Sequence, residues 1–219
     1  MKNLYSISSK SKVAITLLSM IILLLCGVLV ERYFFSKMNE GSASMYNDRL
    51  IPSTAIFHLS DHIAQRRLLM LSKARYEDQQ VEEIQKTLSW HQHKEDSIIT
   101  AFEQTYLVED ESVSLEQLKA ELNAYNQLEA NLITSPTDSE LAKLDIQYSN
   151  IREELMELSN IQTRVGQKLQ TENERLTSNA DVITQLLVVV LIITCLIAQA
   201  FVLASKSIIP AISQKHNLN

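Results

Sequence analysis

Two histidines four residues apart are the first side chains in this sequence with a recognisable chemical use. His58 and His62 lie in a stretch of helical periodicity, where a spacing of four places both rings on one helix face, as in many metal sites. Asp48 and Asp61 could supply further oxygen ligands. Metal binding by His58 and His62 is therefore one hypothesis, and a solvated helix face is the alternative.

Three arginines in the same acidic region suggest a different chemistry. Arg66, Arg67 and Arg75 carry planar guanidinium groups, which bind carboxylates through paired hydrogen bonds. They are candidates for holding an acidic solute, with Arg66 and Arg67 ahead of Arg75. In the alternative interpretation they form ion pairs with the Glu and Asp side chains of neighbouring helices.

A third group of polar side chains follows a lone tryptophan, Trp90. His91 and Glu95 fall within a helical series of interior positions, 81, 84, 88, 91, 95, 98 and 102. We interpret them as a buried pair with satisfied hydrogen bonds, in preference to a ligand contact. The sequence has no Ser-His-Asp order, phosphate-binding loop or recognisable carboxylate pair. We therefore expect neither an enzyme nor a cofactor.

The elements that position these residues are predicted to be helices. Three glycines and three prolines in 219 residues leave few helix breaks, and no alternating strand pattern is present. We expect outer helices over residues 37–75, where Pro52 lies within the helix and removes one hydrogen bond, and over about 78–107. A third helix should begin at Ser114, which forms a capping box with Gln117, and a fourth should follow Ser135 and Pro136. Short turns between them predict an all-α, antiparallel four-helix bundle.

Two apolar segments flank this bundle. Residues 13–30 and 182–204 contain no charged side chain, and both are long enough to cross a bilayer. All 26 acidic residues lie between them, together with 15 basic ones, whereas both tails are purely basic. The positive-inside rule places the tails in the cytoplasm and the acidic middle outside. An acidic domain without a basic face does not suit nucleic acid.

These observations divide the chain into five parts. We predict a basic cytoplasmic tail (1–12), a first transmembrane helix (13–30), a periplasmic four-helix bundle (31–181), a second transmembrane helix (182–204) and a cytoplasmic tail (205–219). The two cysteines, Cys26 and Cys195, fall in the apolar segments, so the bundle has no disulfide. Its stability must come from helix packing.

One stretch connects the bundle to the membrane. From Leu141 onward, apolar residues recur every three or four positions for five heptads, with polar Gln162 and Glu172 in the series. The second apolar segment follows directly. We therefore predict a single helix over 141–204, a suitable element for carrying motion across a bilayer.

Short motifs resemble the sensor region of methyl-accepting chemotaxis proteins. Tyr46, Asp48, Arg49 and Pro52 match a pattern at the start of that sensor, and 158–165 is similar to its late fourth helix. Residues 207–212, Ser-Ile-Ile-Pro-Ala-Ile, resemble the start of a HAMP linker. The rest of HAMP and the methylation helices do not follow, so we expect a truncated receptor or a short protein that acts through partners.

The resemblance implies a homodimeric sensor in a bacterial inner membrane. The ligand would be a small periplasmic solute such as an amino acid or organic acid, and the output partner is unknown. The alternative is a membrane-anchored helical bundle that binds another protein without a ligand. The input region of a sensor kinase or cyclase would show the same sequence features, because such proteins use the same helical bundle.

Overall fold

The computed structural model describes residues 7–75, 81–134 and 137–204, and all of these are helical except the loop 104–108 and Thr137. These described residues form five α-helices: α1 (Ile7–Ser44), α2 (Ile51–Arg75), α3 (Val81–Glu103), α4 (Glu109–Thr134) and α5 (Asp138–Ala204). A π-helical turn, Met45–Leu50, joins α1 to α2. No strand occurs within the described ranges. The predicted all-α class is confirmed.

Residues 39–174 form one compact unit, the bundle. Its apolar core combines α2, α3, α4 and the first part of α5. Most core positions recur every three or four residues on each helix, so each helix buries one stripe. The fully or almost fully buried members include Leu59, Ile63, Met70, Leu88, Phe102, Leu115, Leu118, Tyr125, Leu132, Leu144, Ile151 and Leu158. The four-helix bundle predicted from apolar periodicity is therefore the observed fold.

Helix α5 is continuous from Asp138 to Ala204, as the heptad pattern predicted. Four of the predicted interior residues, Leu144, Ile151, Leu155 and Leu158, are buried in the bundle. Gln162 is also buried, and its amide oxygen accepts a hydrogen bond from Arg49. A polar residue in this series therefore has a polar partner inside the bundle.

The helix containing Pro52 does not stop at the proline. Proline lacks an N–H and its ring clashes with the carbonyl four residues earlier in a regular α-helix. The wider π-helical turn immediately before it changes this geometry, and Ile51 N–H bonds to the carbonyl of Tyr46, five residues earlier. The local change from α-helix to π-helix therefore accommodates the proline without ending the helix.

Two helix boundaries differ from the predictions. Helix α4 begins at Glu109, so Ser114 lies inside it and donates to Glu154 Oε2 at 3.0 Å; the predicted Ser114–Gln117 capping box is wrong. The amide of Val108 donates instead to Glu111 Oε2 at 2.9 Å, which stabilises the helix start. Helix α3 ends at Glu103, four residues before the predicted end.

Some predicted turns lie partly or wholly outside the described residues. The turn between α2 and α3 and the predicted Ser135 cap with Pro136 are among them, as is the HAMP-like segment 207–212. At the start of α5, Thr137 Oγ1 accepts a hydrogen bond from the Glu140 amide at 3.2 Å. Thr137 therefore serves as a cap for this helix.

The second compact unit pairs α1 up to Met38 with α5 from Arg175. The two helices approach closely at Gly27, where a Cβ atom would lie 2.1 Å from Leu187 Cδ2. Thr184 Oγ1 donates to Glu31 Oε1 at 2.8 Å. Most large apolar side chains of these segments face outward, which suits a lipid environment. Both helices are long and apolar enough to cross a membrane.

Gly27→Leu is expected to lower the free energy of unfolding by about 1–3 kcal/mol, because the added side chain occupies the space of Leu187. Detergent-solubilised full chain, unfolded with SDS and followed by circular dichroism, measures the change. Gly166→Leu is the matched control, since no atom lies within 4 Å of a Cβ built at Gly166. Equal effects of the two variants would contradict the close contact at Gly27.

Candidate functional site

Polar side chains occupy one interior layer of the bundle. Arg66 follows Leu59 and Ile63 on the buried stripe of α2, and Glu95 and Glu129 take equivalent interior positions on α3 and α4. Helical periodicity alone therefore turns these three side chains inward. We call Arg66, Glu95, Glu129 and the adjacent Gln92 and Asn126 the buried charge cluster.

Arg66 is the centre of this cluster and is completely buried. Its Nη2 lies 2.5 Å from Glu129 Oε2, and its Nε donates to Glu129 Oε1 at 3.2 Å. The same guanidinium donates to Glu95 Oε2 and to Asn126 Oδ1. The face of Tyr125 lies 5.2 Å from Arg66 Cζ, within the range of a cation–π contact.

The cluster contains more carboxylates than cations. Burial raises the pKa of Glu95 from 4.5 to about 7, and this effect exceeds the opposing attraction of Arg66. Burial likewise raises the pKa of Glu129. With both carboxylates ionised the cluster has a net charge of −1 in the protein interior, so its electrostatic energy depends on pH near neutrality.

A histidine pair lies one helical turn from the cluster. Nδ1 of His62 and Nδ1 of His91 are 2.9 Å apart, so one nitrogen donates and the other accepts. Burial lowers the pKa of both imidazoles, with a further lowering by His58 and Lys94 for His62, and by His62 and Arg66 for His91. Both rings also contact Trp90. The pair is therefore expected to be uncharged at pH 7.

Trp90 fluorescence is expected to fall on acidification with a midpoint below pH 6.5, because an imidazolium quenches an adjacent indole and burial lowers both histidine pKa values. Trp90 is the one tryptophan of the sequence, so the signal is local. The transition should disappear in the double variant His62→Gln/His91→Gln, because both rings contact Trp90, and persist in His58→Gln. A midpoint at or above 6.5 would contradict the assigned environment.

The two histidines of the proposed metal site have different neighbours in the structure. His62 bonds to His91, whereas the His58 ring contacts Phe57. No group of three His, Cys, Asp or Glu side chains suited to a metal occurs within residues 7–75, 81–134 and 137–204. Metal binding by His58 and His62 stays a prediction for which the described residues supply no third ligand.

The three candidate arginines have different surroundings. Arg66 is paired inside the bundle, and half-buried Arg67 donates to Asp145 Oδ1 at 2.9 Å while lying over the Tyr148 ring. Arg75 is the last residue of α2, and its side chain is outside the described part of the chain. For Arg66 and Arg67 the structure therefore shows the intramolecular ion pairs that were the alternative interpretation.

His91 and Glu95 are both buried, as predicted, but they do not form a pair with each other. His91 bonds to His62 and Glu95 to Arg66, so both partners come from α2. Glu129, the second carboxylate of the cluster, was missed. It follows Leu122 and Tyr125 at interior spacing on α4, and the reasoning applied to Glu95 would have identified it.

A second buried arginine, Arg49, connects the chemoreceptor-like motif to the loop between α3 and α4. Its guanidinium lies 2.5 Å from Glu111 Oε1 and donates to the carbonyl of Tyr106 at 3.2 Å. Neighbouring Asp48 accepts from the amide of Tyr106 at 3.2 Å. These contacts give Asp48 and Arg49 a structural role in holding the loop.

Together these features define the class of protein. A four-helix bundle with buried polar networks shares its first and last helices with two segments apolar enough to cross a membrane. The chain belongs to the family described as the four helix bundle sensory module for signal transduction, which matches residues 3–177. This is the sensor module of chemoreceptors, so the predicted resemblance is confirmed. Neither the curated proteins nor the solved structures contained a match.

Proposed function

We propose that this chain is a transmembrane sensor in which the bundle binds a small solute and α5 passes the resulting movement through the second apolar segment. The observation that carries the proposal is the unbroken course of α5 from Asp138 to Ala204. One helix therefore supplies both core residues of the bundle and an uncharged membrane-length segment. Shifts of 1–2 Å along or about such a helix are a known switching mode.

A ligand can move α5 only if it binds two arrangements of the bundle with different affinity. The buried charge cluster supports such a change, since it places ionised groups between α2, α3 and α4 where their separation alters the electrostatic energy. We propose that the solute acts on this layer of the bundle.

The native cysteines permit a direct test of transmission. Cys26 lies on α1 and Cys195 on α5, and both are exposed. Spin labels on these residues, in full chain mixed with an excess of unlabelled cysteine-free chain and reconstituted into nanodiscs, would report the separation of the two helices within one chain by double electron–electron resonance. A panel of amino acids, organic acids and small amines is added in turn. The proposal expects a changed distance with a solute that also shifts the melting temperature.

If a solute binds the bundle and the label distance stays constant, transmission through α5 is wrong. If no member of the panel changes either quantity, the alternative of a bundle that binds another protein without a small ligand is favoured. A helix-breaking Thr177→Pro substitution is the control for coupling, because it should preserve binding and remove the distance change.

We also propose that the active form is a homodimer. Three large apolar side chains are more than half exposed on one face of the segment formed by the end of the π turn and α2: Leu50, Phe57 and Leu68. At about 100° per residue they lie within roughly 20° of each other around the helix. A second copy of the chain would bury this stripe against its own equivalent, as in an isologous interface.

Oxidative cross-linking tests the dimer. In a background lacking Cys26 and Cys195, Phe57→Cys should give a disulfide-linked dimer in membranes. Val113→Cys, which places a thiol at an equally exposed position of α4, is the control and should stay monomeric. Cross-linking of both variants to the same extent would indicate random collision and contradict the proposed interface.

The charge distribution supports an orientation with residues 31–181 in the periplasm and both basic tails in the cytoplasm. We propose the bacterial inner membrane as the location. Membrane-impermeant thiol labelling of Val113→Cys in intact spheroplasts should succeed, whereas labelling only after lysis would place the bundle on the cytoplasmic side.

A further inference from the structure

A cleft between α3 and α4 opens beside the buried charge cluster. Its volume is about 290 Å³, close to the lower limit for small-molecule pockets. Glu95, Asp96 and Glu103 line it from α3, and Lys119, Asn123 and Asn126 line it from α4. The cleft is therefore large enough for a few non-hydrogen atoms and is rich in hydrogen-bond acceptors.

The floor of the cleft contains an unsatisfied acceptor. Glu95 is 3% exposed, and its Oε2 accepts from Arg66. Its Oε1 has no hydrogen-bond partner among the described residues. A buried carboxylate oxygen without a donor is costly, so a donor supplied by a ligand would relieve this cost.

The net negative charge of the residues that line the cleft favours a positively charged ligand. Three carboxylates face one ammonium group, that of Lys119, which already lies 2.8 Å from both Glu103 Oε1 and Glu116 Oε1. Arg66, the nearest other cation, is fully paired within the cluster. An anionic ligand would thus meet excess negative charge and no available cation, whereas a cation would be attracted.

The lining also favours an organic ammonium over a metal ion. A primary ammonium has three N–H donors and can be held by oxygens of separate side chains, as the ammonium of Lys119 is by the carboxylates of Glu103 and Glu116. The described residues assemble no group of three carboxylate, histidine or cysteine ligands around one point. A metal would therefore lack a coordination shell here.

We infer that the cleft between α3 and α4 binds a small organic cation with a primary ammonium group, which donates to Glu95 Oε1 at the floor. That oxygen lies below the water-accessible surface, so the ammonium reaches it when α3 and α4 move slightly apart. The ligand then favours the opened arrangement, as signalling requires. The role of this cleft as the sensing site rests on the proposed function, whereas the binding itself does not.

Isothermal titration of the full chain with 1,4-diaminobutane at about pH 8, where Glu95 is mostly ionised, tests the inference. Nanodiscs of phosphatidylcholine avoid binding of the amine to anionic lipid. Saturable binding is expected for the wild type, at least about tenfold weaker binding for Glu95→Gln, and an intermediate loss for Asp96→Asn at the mouth. Glu153→Gln, which removes an equal charge from an exposed position of α5, should bind like the wild type.

Neutral 1,4-butanediol and anionic succinate are the ligand controls, and neither should bind. The inference is overturned if 1,4-butanediol binds as tightly as the diamine, if Glu95→Gln retains wild-type affinity, or if the wild type shows no saturable binding. If the diamine binds and the distance between the labels on Cys26 and Cys195 stays constant, the binding site is supported and transmission of movement through α5 is rejected. In the opposite result, another solute changes the distance between the labels and the diamine does not bind. That result would reject the cation site and support the proposed sensor function.

Discussion

Arg66→Met is expected to lower the free energy of unfolding of the bundle by about 3–5 kcal/mol, because it leaves Glu95 and Glu129 buried without their cation. Methionine has a similar length and keeps most of the apolar packing. The loss of stability therefore measures the effect of removing the positive charge. Urea unfolding of the full chain in detergent at about pH 8, followed by Trp90 fluorescence and circular dichroism, measures the difference.

Arg67→Met is the matched control for Arg66→Met. Arg67 also pairs with a carboxylate, but both side chains of that pair are partly exposed, so the expected cost is at most about 1 kcal/mol. Adding Glu95→Gln and Glu129→Gln to Arg66→Met should recover most of the loss, since the buried charges are removed together. Equal costs for the two single arginine variants would contradict the buried cluster.

Glu95→Gln is expected to raise the free energy of unfolding above about pH 7 by up to about 3 kcal/mol and to leave it nearly unchanged at pH 4. The folded-state pKa of Glu95, about 7, exceeds its ordinary value of 4.5. The stability associated with this group is therefore fully present below pH 4.5 and is lost as the pH rises through 7. Glutamine resembles the protonated acid and does not titrate.

The difference in the free energy of unfolding between wild type and Glu95→Gln, measured as a function of pH, isolates the contribution of Glu95. His62 and His91 have lowered pKa values, so their contribution is present above pH 6.5 and decreases at lower pH, which opposes the effect of Glu95. These histidines are common to both proteins and largely cancel in the difference. Glu153→Gln should show the wild-type profile, and a flat difference curve would exclude a raised Glu95 pKa.

The amino-acid sequence determined the helices, the four-helix bundle and the single course of α5. These features follow from local periodicity: an apolar residue every three or four positions requires a helix with one buried stripe, and an uncharged segment long enough to cross a bilayer extends it. The same periodicity placed His91 and Glu95 inside. Burial of a helix position is thus readable from the neighbours on its own helix.

The partners of the buried polar residues were decided by tertiary structure. Periodicity states that Arg66, Glu95 and Glu129 face inward, but the layer that each occupies depends on how α2, α3 and α4 align along the bundle axis. That alignment is set by packing of the whole core and by irregular features such as the π turn before Pro52. Charge pairing requires atoms within hydrogen-bond distance, so a shift of one helical turn would have given Arg66 different partners.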